Sequence, residues 1–321
     1  MKKGDIIQLE IEKTVFPGKA FGWVPAGDGG KRKCWVKGAV AGQVLEVRII
    51  KKRSKRLEGQ CLRVLAPSPD EVAPRCPVFG RCGGCTYQNL PYAKQLEMKN
   101  DWVLGLLDEA EVTGFEKLPV LASPEIWEYR NKMEFTFGDD APGGALQLGL
   151  HEQGHFYTIL SAEECVLVHQ DFRVMVRAVT AYFREKGTAY YHKRTHTGFL
   201  RHLVIRRGAA TGEILVNLVT SSQEELDGGA FVQMLQALPL EGRLAGVLQT
   251  VNDNFADIVQ ADHVTVLFGE PLIHDTLLGL TFEISPFSFF QTNSRGAEVL
   301  YQAVRDRVLT GWAGQTGKPV I

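Results

Sequence analysis

No stretch of this chain is apolar for long enough to cross a bilayer; the longest runs, such as Ile214–Val219, are strand-sized. The opening residues, MKKGDIIQLEIEKTVF, carry charges throughout and lack the apolar segment of a secretory signal. These absences predict a cytoplasmic protein with no membrane partner. No internal repeat or low-complexity tract is visible. A strand leading into a glycine-rich nucleoside or phosphate loop is also missing, because Gly27–Gly30 reads as a turn. Cysteine is sparse, with six in 321 residues. Without a signal peptide those thiols are expected to be reduced, which disfavours disulfides as their use.

What is present is an ordinary globular composition, 45% hydrophobic and 23% charged, in a chain long enough for two or three domains. The net charge of −1 conceals an asymmetry. Residues 1–66 hold 15 Lys+Arg against 6 Asp+Glu, so a module of +9 precedes a body of −10. Six of those cations fall between Arg48 and Arg56: Arg48, Lys51, Lys52, Arg53, Lys55 and Arg56. A basic first module carrying such a run points to a polyanion, and to RNA or DNA before any other. The competing reading is a solvated charged surface.

Residues 1–66 read as a small all-β unit. Apolar and β-branched runs recur at Ile6–Ile11, Phe21–Val24, Cys34–Val36, Val44–Ile50 and Leu57–Leu65, with turn residues between them. Five short strands suit an OB-like barrel, with the basic run at the turn between the last two. The prolines of Ala66-Pro67-Ser68-Pro69 end it. Leu90–Ala110 is predicted helical, with Ala93, Leu96, Val103 and Leu107 as its core stripe. Phe172, Met175, Val176, Val179 and Phe183 form a cleaner stripe. Leu200–Arg206 and Glu213–Thr220 are a predicted hairpin. Further strands are predicted at Val247–Val251, Val264–Phe268 and Leu280–Ile284, and a helix at Ala297–Val308.

The chemistry-bearing pattern is Cys76-x5-Cys82-Gly83-Gly84-Cys85, joined far along the chain by Cys165. Two residues between Cys82 and Cys85 let one loop aim two thiolates at a single centre, and the glycines permit close backbone approach. Four sulfurs fit an iron–sulfur cluster or a structural zinc, and the spacing does not choose between them. His151 and His155 flank Gly154 in a predicted turn and are not read as a metal pair. His192, His196 and His202 lie among Lys193, Arg194, Arg201, Arg206 and Arg207, a second basic cluster that fits RNA or a solvated edge equally well.

With these motifs in order, the chain resembles the RNA (uracil-5-)-methyltransferases that carry a TRAM domain and an iron–sulfur cluster, the RumA type. The family's cluster motif matches Cys76, Cys82, Cys85 and the following Gln88. Its fourth ligand matches Glu163-Glu164-Cys165. Tyr129-Arg130-Asn131-Lys132 resembles the stretch beside the target base, and Ser288-Phe289-Phe290-Gln291-Thr292-Asn293 the entry to the methyltransferase domain. A radical adenosylmethionine enzyme is the nearest competitor. Its cysteines are spaced by three and then two residues, against five and then two here.

The resemblance implies several domains. They are an OB-like TRAM barrel (1–66), a linker and cluster loop (67–94), a helical segment packing on the methyltransferase domain (95–127), an α+β RNA-binding domain (128–286) and the start of a Rossmann-like α/β methyltransferase domain (287–321). It implies a 4Fe–4S cluster on Cys76, Cys82, Cys85 and Cys165, and S-adenosylmethionine contacted by Gln291 and Phe289. RNA, most readily 23S rRNA, would be held by Lys51, Lys52, Arg53, Lys55, Arg56, Arg130, Asn131 and Lys132 on a monomeric protein. The family's reaction needs a cysteine thiolate at uracil C6, a sulfonium methyl for C5 and a base for the C5 proton. Cys34 and Cys61 lie in predicted strands and read as inert. The nucleophile and base are therefore expected beyond Ile321, in a longer enzyme of which this chain is a fragment, inactive by itself. The reading from another class is a non-catalytic RNA-binding protein with a four-cysteine structural metal.

Overall fold

The computed structural model describes residues 1–26, 29–53, 56–255 and 263–313. They form two compact units, Met1–Arg75 with Cys85–Leu121, and Cys76–Gly84 with Ala122–Ile321. Among the described residues no helix is long and apolar enough to cross a membrane.

The first unit is built on β1 (Ile6–Glu10), β2 (Lys13–Val15), β3 (Lys19–Pro25), β4 (Lys31–Lys37), β5 (Val44–Lys52) and β6 (Arg56–Ala66). These six strands form one sheet in the order β1-β5-β6-β4-β3-β2. All neighbours are antiparallel except β4 and β6, which run parallel. Strand alternation sends Leu9, Ala20, Val24, Cys34, Val36, Leu45, Val47, Ile49 and Leu57 to one buried face. The sheet curls tightly enough for β3 to meet the end of β1 at Gly22. A Cβ there would lie 1.9 Å from the Glu10 carbonyl oxygen, so only glycine fits.

Helix α1 (Tyr92–Glu109) belongs to the same unit but buries no residue fully. The expected core stripe is not one, since Ala93 and Val103 are exposed and Leu96 and Leu107 only half-buried. Its anchor is Trp102, whose indole N–H donates to the Thr14 carbonyl at 3.1 Å and whose ring meets Phe16 and Tyr87 edge-on.

The second unit opens with β7 (Lys132–Gly138), β8 (Gln147–Glu152) and β9 (His155–Ser161), then α2 (Gln170–Glu185), β10 (Leu200–Arg207), β11 (Glu213–Thr220) and α3 (Gly228–Gln236). It continues with β12 (Arg243–Val251), β13 (His263–Gly269), β14 (Ile273–Leu277), β15 (Leu280–Ile284) and α4 (Ser294–Ala313). A mixed seven-stranded sheet runs β13-β12-β11-β10-β7-β8-β9, with only β11 and β12 parallel. Helices α2 and α3 cover one face. There Phe172, Met175, Val176, Val179, Phe183, Phe231 and Leu235 pack with Ile214, Val216 and Leu218 of β11. Leu215, the alternate residue of β11, packs on the other face with Ile273 of β14 and Ile284 of β15. The buried Asp171 carboxylate ties the start of α2 to this sheet, accepting from the Glu241 and Gly242 N–H groups and from Arg207 Nε at 2.8–3.1 Å.

Candidate functional site

The segment before β7 is held from two sides. Arg130 N–H donates to the Leu167 carbonyl and Asn131 N–H to the Thr292 carbonyl, each at 2.9 Å, and the Asn131 carbonyl accepts from Arg207 N–H at 2.8 Å. The Asn131 side chain is buried. Its amide nitrogen donates to the Gln291 carbonyl and to Ser294 Oγ, both at 2.8 Å. Ser294 Oγ donates onward to Asp275 Oδ2 at 3.1 Å, and Asp275 Oδ1 accepts from Ala210 N–H at 2.9 Å. Asn131 Oδ1 is the one end of this amide left buried without a partner among the described residues. Instead of presenting a whole bidentate edge, Asn131 fastens the 291–294 segment and keeps one acceptor.

Arg206, which the sequence reading places in a basic cluster facing RNA or solvent, is instead buried. Its Nε and a terminal N–H donate to the Pro286 carbonyl, each at 3.2 Å, and the guanidinium also reaches the Ser288 carbonyl. Burial lowers its pKa to about 10, so it stays cationic at neutral pH. Lys132 is its register partner on β7. Burial first, and the Arg206 charge second, push the Lys132 pKa down, with Glu134 opposing. Arg130 is half-buried, with its Nε shielded from solvent and without a partner among the described residues.

Asn131 and Arg206 thus hold both ends of the 286–294 loop. At its start a pair of serines closes a tight turn, Ser285 Oγ, just before the loop, lying 2.9 Å from Ser288 Oγ. The two phenylalanines diverge. Phe290 packs against Phe282 with ring centroids 5.7 Å apart, whereas Phe289 is 88% exposed, a ring held in water by a fixed backbone. Gln291 follows it, half-buried. Asp275 and Ser294 are contributors that sequence reasoning missed, and Arg206 is one whose buried anchoring role it missed. A charged residue at an apolar position of strand-like alternation, as in Ile273–Leu277, was the available signal for Asp275.

Of the four cysteines singled out by the sequence, Cys76 and Cys82 stand close enough for the Cys76 thiol to raise the Cys82 pKa, adding to the larger effect of burial. Gly84 N–H donates to Cys82 Sγ at 3.4 Å and lowers it in part. A Cβ on Gly84 would sit at ordinary contact distance, 3.5 Å, from that sulfur and more tightly, 3.2 Å, against Leu150 Cδ1. This loop is pinned to β8 by Gly83 N–H to the His151 carbonyl at 3.2 Å and by Arg81 to Glu152 at 2.8 Å. In the first unit Gln88 Nε2 donates to Cys85 Sγ at 3.1 Å. Cys165 lies between β9 and α2, partly packed on the core, with its carbonyl accepting from Arg173. Among the described residues no three His, Cys, Asp or Glu side chains are gathered as a metal-binding group. The donor chemistry fits thiolate ligation, since Cys82 and Cys85 each receive an N–H donor.

The other two cysteines are poor nucleophiles. Cys34 is completely buried and desolvation lifts its thiol to about 11; Cys61 is raised for the same reason. Of the basic run, Lys51, Lys52, Arg53 and Arg56 are exposed on β5, the following turn and β6, while Lys55 lies outside the described residues. Arg56 pairs with Glu58 at 3.3 Å.

The second unit fixes an exposed aromatic–glutamine loop on a mixed sheet, and the first unit is a strongly basic β module; each by itself is a feature suited to RNA. No family model matches the chain. Three curated relatives are described as RNA methyltransferases. One from Clostridium tetani is 44% identical and one from Clostridium acetobutylicum 43%, each over 95% of this chain and 66% of the relative. One from Caldanaerobacter subterraneus is 42% identical over 95% of this chain and 67% of the relative. The chain belongs to this RNA methyltransferase family and spans about two thirds of these relatives' length. Among solved structures, a Pyrococcus abyssi tRNA (uracil-54, C5)-methyltransferase in complex with S-adenosyl-L-homocysteine shares the fold. It has a TM-score of 0.68 and 22% identity over 93% of this chain and 64% of that one.

Proposed function

We propose that the protein is an S-adenosylmethionine-dependent RNA (uracil-5-)-methyltransferase acting on 23S rRNA in the cytoplasm as a monomer, and that residues 1–321 supply its RNA recognition. The observation that carries this reading is the 286–294 loop. Asn131 and Arg206 fix its backbone, leaving Phe289 in solvent for a nucleobase or the adenine of the cofactor, and Gln291 beside it for the cofactor's polar groups. Arg130, Asn131 Oδ1 and Lys132 are assigned to RNA beside that loop. The relatives' description and the fold neighbour's uracil-C5 activity support the class.

S-adenosylmethionine supplies an electrophilic methyl group. Uracil C5 becomes nucleophilic enough to take it only after a thiolate adds at C6. Neither Cys34 nor Cys61 is suited to that addition, because burial holds both thiols protonated at neutral pH. The nucleophile and base are therefore assigned to residues outside 1–321, and the 321-residue chain alone is expected to be inactive. Cys76, Cys82, Cys85 and Cys165 are proposed to hold a 4Fe–4S cluster, whose role would be to tie distant segments together, since methyl transfer moves no electron. Residues 1–66 are taken as the TRAM module, 67–94 as linker and cluster loop, and 95–127 as a helical segment. Residues 128–286 are taken as the RNA-binding domain, and 287–321 as the start of the methyltransferase domain.

The inert state of Cys34 and Cys61 equally favours a second reading, a non-catalytic RNA-binding protein with a structural metal. Transfer of labelled methyl from S-adenosylmethionine to unmodified 23S rRNA and to tRNA, by this chain and by a full-length relative, tests both. Activity of the relative on 23S rRNA, with none from this chain, is the expected pattern. Preference for tRNA would overturn the substrate, and turnover by the chain alone would restore Cys34 and Cys61 as candidates.

A further inference from the structure

The outer face of the first unit carries a cluster that the reading above leaves unused. Phe21 and Trp35 are register partners across β3 and β4, and Trp23 and Lys33 are the next pair. Their neighbours Ala20, Val24, Cys34 and Val36 fill the core, so the aromatic set lies on the opposite side of the sheet. Phe21 is the buried floor, 5.9 Å from Trp23 and 5.1 Å from Trp35 by ring centroids. Lys33 Nζ lies among the three rings, 4.1 Å from Phe21, 5.4 Å from Trp23 and 5.8 Å from Trp35. Of the two indoles, Trp23 is 41% exposed and Trp35 is partly buried, so Trp23 is the ring most open to a stacking partner.

The rows continue into the basic run. Lys33 pairs with Arg56 on β6 and Trp35 with Glu58, and Glu58 in turn pairs with Lys51 on β5. Residues opposite one another in register share a face, so Trp23, Lys33 and Arg56 form one row and Phe21, Trp35, Glu58 and Lys51 the next. Arg56 neutralises Glu58. Aromatic faces interleaved with cations on one sheet surface match the two halves of a single-stranded nucleic acid, bases and phosphates.

We propose that this face of β3, β4 and β6 is a base-stacking site for single-stranded RNA. Trp23 and Trp35 receive bases, and Lys33, Arg56 and Lys51 take the flanking phosphates. The occupant follows from charge, because this is the module in which Lys and Arg outnumber Asp and Glu by 15 to 6. The inference rests on the RNA reading above and adds where and how the module grips.

The test uses the full 321-residue chain titrated with an oligouridylate and with 23S rRNA at several salt concentrations, following affinity and intrinsic tryptophan fluorescence. Oligouridylate should quench the fluorescence. Trp23→Ala should weaken binding roughly tenfold and remove most of the quenching without altering the salt dependence, since a stacked base releases no counterions. Trp23→Phe should restore most of the affinity, and equal thermal unfolding of the variants would confirm that the fold is intact. Unchanged affinity and quenching in Trp23→Ala, with rRNA still bound, would overturn the stacking site and leave the RNA reading standing. Binding of neither RNA by the unaltered chain would overturn both, and a protein bound to this face in their place would assign the cluster to another partner class.

Discussion

The Asn131 side chain donates a 2.8 Å hydrogen bond to the carbonyl of Gln291, a residue 160 positions further along the chain. That bond joins the two segments proposed for RNA and cofactor and makes the geometry of one depend on the other. Asn131→Ala should cost about 2–3 kcal/mol, because it removes two donated bonds from buried acceptors. Urea unfolding would measure it. Asn131→Asp should cost more at neutral pH, since a carboxylate would face the Gln291 carbonyl and the Ser294–Asp275 pair. Such a carboxylate would have a raised folded-state pKa, so the native state would hold its proton longer than the unfolded chain. The excess penalty over Asn131→Ala should therefore fade as pH falls through that raised pKa. A penalty that does not change with pH would mean that the side chain has swung to solvent.

Arg206 should behave as a loop anchor. Arg206→Met removes the donors to Pro286 and Ser288 while preserving much of the apolar stem. The expected result is loss of order around Phe289, read as faster amide exchange over residues 286–290, with the remaining sheet protected as before. Uniform loss of protection would show that Arg206 supports the whole unit.

How much of this was legible in the sequence varies with the range of the interactions. Helix α2 was plain because its apolar period is local, and all five stripe residues are buried. The α1 stripe misled, because a weak periodicity gives way to one anchoring side chain, Trp102, whose partner Thr14 is 88 residues away. Arg201, His202 and Arg206 read as a basic cluster facing RNA or solvent, yet β10 lies in the middle of a seven-stranded sheet and is covered on both faces. Its polar side chains bond distant groups, Arg201 to the Asn252 and Asn254 carbonyls and His202 to Thr136. No local pattern announces such partners.

The cysteine proposal predicts brown protein from anaerobic purification, with iron and sulfide near four each per chain if the cluster is 4Fe–4S (about four by definition of that cluster type). Cys165→Ser should lose the iron, whereas Cys61→Ser should retain it. Stoichiometric zinc with no iron would assign the four thiols to a structural zinc site instead.

The basic run should govern the salt response. Replacing Lys51, Lys52, Arg53, Lys55 and Arg56 together by alanine should weaken RNA binding and flatten the dependence of log affinity on log salt by roughly one power per phosphate contact removed. An unchanged slope would place the electrostatic surface elsewhere, with these side chains merely solvated.

Lys132 should show opposing effects on stability and binding. Its ammonium is partly desolvated and lies beside Arg206, which is why its pKa is depressed in the folded chain. Lys132→Met keeps the stem and removes the charge, so it should raise the melting temperature at neutral pH. A lysine with a folded-state pKa below its unfolded value costs stability at every pH below the folded pKa. That cost lifts as pH climbs from the folded value toward about 10.4, where the unfolded lysine also loses its proton. The advantage of Lys132→Met should accordingly shrink in alkaline solution. If the ammonium meets a phosphate, the same variant should bind RNA more weakly, with a salt slope shallower by roughly one. Calorimetry across pH and a salt titration on the same preparation read both effects. Higher stability with unaltered RNA affinity would remove Lys132 from the RNA site, and lower stability would show that Glu134 outweighs Arg206 as its neighbour.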